Sequence, residues 1–201
     1  MLKQKRKNYH HGDLKPALVR AGLELLEEVG LDNLSLRAIA ARVGVSHTAP
    51  KNHFGSLKGL LSAIAAEGFR MHAVEMRKGV EGTSPGKERL HAAASGYVRF
   101  ATKNPELFRL MFSPVLARDE TPELAEAGEQ SYHVLQDVAA GLQWPRPGEA
   151  PPDLRSWQSE MMLWTFVHGY ASLYIEGRGP RKDDGEPLFD ILEIMPDFDF
   201  G

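Results

Sequence analysis

Cysteine is missing from all 201 positions. That removes disulfide cross-links, thiolate nucleophiles and cysteine-held zinc, and it fits a reducing compartment. Long apolar runs are missing too: the most apolar part, 161 to 175, is interrupted by Thr165, His168 and Ser172 and is shorter than the ~18 residues a membrane span needs. The basic start, Lys3, Lys5, Arg6 and Lys7, is followed by Asn8, Tyr9, His10 and His11 instead of an apolar export core, so a cytoplasmic location is expected. Alternation with a period of two is nowhere long enough to argue a sheet. Apart from the adjacent His10 and His11, no two histidines stand at ligand-like spacing, and no glycine-rich phosphate loop or nucleophile elbow is present. The sequence therefore predicts no metal, no cofactor and no enzyme.

What is present is ordinary globular material, 42% hydrophobic and 25% charged, with its charge unevenly spread. Residues 1–60 hold ten Lys or Arg against five Asp or Glu, a formal +5, which leaves −8 for the remainder. One end suits a polyanion and the other repels it. The division expected is a basic arm at 1–12, a small domain at 13–60 and a larger acidic domain at 61–201.

The pattern becomes helical at Asp13, a candidate cap. Leu14, Leu18, Ala21, Leu25 and Val29 recur on one face to Gly30, predicting a first helix over about 13–29. Ser35 precedes a second short periodic segment, Leu36, Ile39, Ala40 and Val43, which Gly44 can stop; Ser46 is placed to cap a third helix running to about His53. Only a tight turn fits between Val43 and Ser46, which is helix-turn-helix geometry. Ser56 then caps a long helix, about 57–79, and further helices are expected at about 87–103, 105–112, 122–143 and 153–176, with a short one around Leu188, Ile191, Leu192 and Met195. The fold class is all-α.

A helix that enters the major groove needs short or polar side chains on its leading face. His47, Thr48, Lys51 and Asn52 supply one: Asn52 for an adenine, Lys51 for a guanine or a phosphate, the Thr48 methyl for a thymine. Ser46 and His53 flank them. Phosphate anchors are expected at helix N-termini, where free N–H groups favour anions: Ser35 and Arg37 at the second helix, Lys58 at the fourth.

These residues resemble the DNA-binding domain of the TetR/AcrR family of bacterial transcriptional repressors. The resemblance runs over about 12–64, through EEVGLDNLSLRAIAARVGVS (27–46), the His53-Phe54 pair and the GLL run at 59–61. A second likeness, in LWTFVHGYASLYIEG (163–177), places Trp164, His168 and Gly169 where one branch of the family carries the Trp, His and Gly that name its C-terminal domain; Ala49-Pro50 resembles that branch too. The chain departs from family habit at Lys51, where a Tyr is usual, and at Leu57, where a phosphate-binding Lys is usual.

The resemblance implies a homodimer on an inverted-repeat operator in double-stranded DNA, formed through the last long helices, and a pocket for a small-molecule effector in the C-terminal bundle. The 153–176 helix carries two apolar stripes, Trp157, Met161, Trp164, His168, Ala171 and Ile175, and Met162, Phe166, Gly169 and Leu173, one for its own subunit and one for a partner. Tyr97, Phe100, Phe108, Met111, Phe112, Tyr132, Trp164 and His168 are the residues expected around an effector. Aromatics at helical spacing are core more often than pocket, so the same residues also read as core. Two rivals stay open: a DNA-binding or interaction module with no effector, told apart by whether the C-terminal domain has an open centre, and an enzyme using Glu160, His168 or His133, told apart by turnover.

Overall fold

The computed structural model describes residues 14–117, 121–143, 152–183, 185, 187–196 and 198–200. The arm at 1–12 and the cap expected at Asp13 lie outside them. Helix α1 spans Leu14–Val29 and is followed by a 3-10 turn, Leu31–Asn33; α2 is Leu36–Val43, α3 Ala49–Phe54 and α4 Leu57–Arg77. Beyond these come α5 (Lys87–Lys103), α6 (Pro105–Met111), α7 (Pro114–Ala117), α8 (Pro122–Ala139), α9 (Pro152–Ile175) and α10 (Ile191–Ile194). Two-residue strands, β1 (Leu142–Gln143) and β2 (Asp199–Phe200), form an antiparallel pair with Leu142 opposite Phe200.

Local chemistry sets most of the boundaries. The Ser35 hydroxyl accepts the Ala38 N–H at 3.2 Å and the Ser56 hydroxyl accepts the Gly59 N–H at 3.1 Å, so each satisfies a donor that its helix cannot. At the end of α2, Gly44 takes φ 77°, its N–H reaching Ala41 O while the Val45 N–H reaches Ala40 O. That paired closure needs a left-handed residue, and glycine supplies it without a Cβ penalty.

Three expectations are corrected. The third helix begins at Ala49, not at Ser46: a start at Ser46 would put Pro50 where its N–H must bond the Ser46 carbonyl, and proline has no N–H. Ser46 caps nothing and meets the Thr48 hydroxyl at 3.0 Å instead. In α1 the buried residues are Leu18, Ala21, Gly22, Leu25 and Leu26, while Val29 is exposed. Successive steps of four advance ~400° and drift off a face that repeats every ~360°. Helix α8 ends at Ala139 instead of 143, because Gly141 turns the chain at φ 81° and the next two residues pair with β2.

Helix α4 is the axis of the molecule. Every residue from Leu60 to Ala66 is buried, which no helix with a wet face would allow. It packs on α1 and α3 and on α5, α6 and α8. Small residues admit the closest neighbours: a Cβ on Gly96 of α5 would lie 2.5 Å from the Glu75 carbonyl oxygen of α4.

Helix α9 buries Leu163, Val167, Tyr170, Ala171 and Tyr174 and leaves Trp157 and Leu173 in solvent, 53% and 56% exposed. The first predicted stripe thus mixes residues, Ala171 being buried and Trp157 not, because the inward face is centred on the tyrosines, whereas the second, Met162, Phe166, Gly169 and Leu173, is half-buried to exposed throughout.

Candidate nucleic-acid interface and cavity

Helix α3 has only six residues, too few to stand alone, so its orientation comes from what lies beneath it. Pro50 is fully buried and Phe54 is packed against the core. Phe54 also has the Lys15 ammonium 5.8 Å from its ring centre. With Pro50 pointing inward, the other face is left to water: Ser46, His47, Thr48, Lys51, Asn52 and His53 are all exposed. The Ser46–Thr48 hydroxyl contact ties the leading edge of this face to the turn before it.

Beside α3 lie α2 and α4, both of which pack on it. Arg37 is exposed in the first turn of α2. Lys58, half-buried, lies in the first turn of α4. The Ser35 and Ser56 hydroxyls are engaged as caps, so any anion there would meet backbone N–H groups and the basic side chains. Arg42 clamps α2 to α1 with a two-pronged contact to Glu28, Nη1–Oε1 3.0 Å and Nη2–Oε2 2.6 Å. The Arg42 hydrogen bonds hold the exposed Glu28 carboxyl below its ordinary range.

In the larger part of the chain, α4, α5, α8 and α9 enclose a cavity of about 440 Å³, inside the range of ~300–1,000 Å³ seen for small-molecule sites. Tyr97, Phe112, Tyr132 and Trp164 line it, as expected. Phe100, Phe108 and Met111 do not: they are 2%, 2% and 5% exposed and fill the core behind it. His168 also lies behind the wall, stacked on Phe108 with ring centres 5.2 Å apart and hydrogen-bonded through Nδ1 to the Tyr97 hydroxyl, 2.8 Å away. Core packing claims these four: Phe108 meets the rings of Tyr97 and His168, Phe100 meets the ring of His72, and Met111 is buried in the same cluster.

His72 was not foreseen. It sits on α4 between Phe69 and Met76, three and four residues away and hence on one helical face that the cavity touches. That spacing was the available signal. His72 is 2% exposed, and its Nδ1 meets the Ser131 hydroxyl of α8 at 2.8 Å. Burial lowers its pKa to about 3, and His168 is lowered by the same cause. Both imidazoles are therefore neutral at ordinary pH. The Tyr132 hydroxyl donates to Glu160 Oε2 at 2.6 Å; its pKa rises to about 12, first through burial and then through that carboxylate.

Comparison with known proteins falls on these two parts separately. Residues 18–64 match the family described as "Bacterial regulatory proteins, tetR family", and residues 90–193 match "Tetracyclin repressor-like, C-terminal domain". The class A tetracycline repressor from transposon 1721 of Escherichia coli is 46% identical over 48 residues, 24% of this chain and 22% of the repressor. The match thus spans less than a quarter of that relative's length. Among solved structures, a protein of unknown function from Rhodococcus sp. RHA1 is 30% identical over 94% of both chains, with a TM-score of 0.74. A TetR family transcription regulator from Marinobacter aquaeolei VT8 shares the fold at 18% identity, TM-score 0.60, over 91% of each chain.

Proposed function

The chain belongs to the TetR family of bacterial regulatory proteins, and from that premise we propose that it is a ligand-responsive transcriptional repressor. In this reading a homodimer places its two α3 helices in successive major grooves of an inverted-repeat operator, and an effector in the cavity releases it. The observation that carries the DNA half is the division at α3 between the buried Pro50 and an exposed polar side, with Lys51 and Asn52 on the helix and His47 and Thr48 in the turn that leads into it. Such a face can approach base edges, and the +5 charge of residues 1–60 favours the phosphates around it.

Support for the dimer comes from α9. Along one stripe of it Met162, Phe166 and Gly169 are only half-buried and Leu173 stands in solvent, and a Cβ on Gly169 would meet nothing within 4 Å. A half-open apolar stripe with room at a glycine is what a self-complementary helix pair covers. Two readers held in such a dimer would need half-sites about 34–36 Å apart or multiples of that distance.

The effector half rests on the cavity and on α4, which lines it with Phe69, His72 and Met76 and also packs on α3. A ligand that binds the non-DNA arrangement more tightly weakens operator binding by that ratio, each tenfold being about 1.4 kcal/mol. Among the described residues no helix is long and apolar enough to cross a membrane, and a cytoplasmic regulator accords with that. A footprint of the purified protein on the promoter of its own gene tests the reading: a protected palindrome is expected, lost in Asn52→Ala, and binding equal to that on random DNA would refute it.

A further inference from the structure

Most polar side chains in the cavity wall are paired within the protein; the exception is the buried His72 Nε2, which has no hydrogen-bond partner among the described residues. His72 Nδ1 pairs with Ser131, the Tyr97 hydroxyl with His168 and the Tyr132 hydroxyl with Glu160. The rest of the wall is apolar, with Phe69, Leu90, Phe112, Leu163 and Trp164 prominent. No Lys or Arg lines it among the described residues, and burial keeps the His72 and His168 rings uncharged. The one carboxylate on the wall that is open to water is Glu129 of α8, 71% exposed, with His133 Nε2 3.8 Å away. Glu129 thus marks the mouth, where water screens its charge.

An anion entering here would shed its hydration and meet no cation. The wall residues offer one unpaired nitrogen, His72 Nε2, and a polar ligand would have to break an internal pair for each hydrogen bond beyond that one. An uncharged apolar body loses neither, and it displaces water from an aromatic wall. Resting on the reading of this cavity as the effector site, we infer that the ligand is an uncharged, predominantly apolar small molecule with at most one hydrogen-bonding group, and that carboxylate-bearing effectors are excluded.

Three probes with the same alkyl chain separate charge from apolar content: decan-1-ol, decanoate and decyltrimethylammonium. Binding is followed by fluorescence of Trp164, with Trp164→Phe as the control for its signal. Decan-1-ol is expected to bind at least about tenfold more tightly than either ion. Equal or tighter binding of either ion, or no binding of decan-1-ol, overturns the inference. A second measurement uses Glu129→Lys, a change on an exposed position. It should raise decanoate affinity severalfold and leave decan-1-ol unchanged, whereas an unmoved decanoate affinity would remove Glu129 from the mouth and overturn the charge argument. Operator binding is assayed separately. If decan-1-ol binds as expected but leaves operator affinity unchanged, the ligand class stands and the effector reading falls.

Discussion

The Glu27 carboxylate of α1 accepts the backbone N–H of Leu107, on α6, at 2.8 Å, and reaches the neighbouring Glu106 N–H at 3.4 Å. A side chain of one helix thereby caps another that begins nearly eighty residues later. Burial raises the Glu27 pKa, against the opposing pull of those two N–H groups. Since α6 also carries Arg109, bonded to Glu176 at 2.8 Å, the N-terminal helices and the end of α9 are fastened to the same short element.

Removing that cap should loosen the joint. Glu27→Ala is expected to lower stability by about 1 kcal/mol, the usual effect of losing an N-terminal cap. Glu27→Gln keeps an acceptor oxygen and should lose less. Urea denaturation at neutral pH distinguishes the two, and equal stability of wild type and the Ala variant would show that water replaces the carboxylate.

Phosphate and base contacts separate by their salt and sequence dependence. Arg37→Ala and Lys51→Ala should each weaken binding to specific and random DNA alike and reduce the slope of log affinity against log salt by about 1. Asn52→Ala should cost about 1–3 kcal/mol on the operator and little on random DNA. Fluorescence anisotropy at several salt concentrations reads both. A Lys51→Ala variant with unchanged slope but altered base preference would reassign Lys51 to a guanine.

Acid should act through His72. Its folded-state pKa of about 3 lies below the ordinary 6.5, so the unfolded chain takes up the proton first. The stability this group contributes is whole above about pH 6.5 and is lost as pH falls through the interval down to about 3. Within that interval the slope from one such group is on the order of 1.4 kcal/mol per pH unit. His72→Gln should flatten the fall between pH 7 and pH 5 in denaturant midpoints, and an identical fall in the variant would place the acid sensitivity elsewhere.

The outer face of α9 supplies the oligomer test. Leu173→Arg should shift the protein from dimer to monomer in analytical ultracentrifugation and leave the helical circular dichroism unchanged, because Leu173 is already in solvent within one chain. A dimer that survives the charge would move the interface to another surface.

Boundaries written in local chemistry were legible in the sequence. Ser35, Gly44 and Ser56 each act within four residues of themselves, so the caps and the turn could be read without knowing the fold. Ser46 misled because Pro50 vetoes a helical bond four residues later, a constraint as local as the cap that it overrides. The cavity was half legible. Tyr97, Phe112, Tyr132 and Trp164 were recognisable as large amphipathic or aromatic groups on three helices and the end of a fourth, but nothing in their spacing distinguishes a wall from the core that claims Phe100 and Phe108. His72 required knowing that α4 is surrounded. The outward turn of Trp157 and Leu173 required knowing that Tyr170 and Tyr174 face in.

A Cβ on Gly59 would lie 2.1 Å from the carbonyl oxygen of Phe54, the last residue of the reading helix. The corner between α3 and α4 is therefore closed to any side chain at that point, and with only Gly55 and Ser56 between the helices it has no slack to absorb an extra residue. Lengthening of the polypeptide should divide the chain accordingly: a one-residue insertion after Gly55 is expected to abolish operator binding, while the same insertion in the exposed stretch around Gly82 is tolerated. Of the two connections that leave α4, the one at its beginning has a fixed length and the one at its end does not.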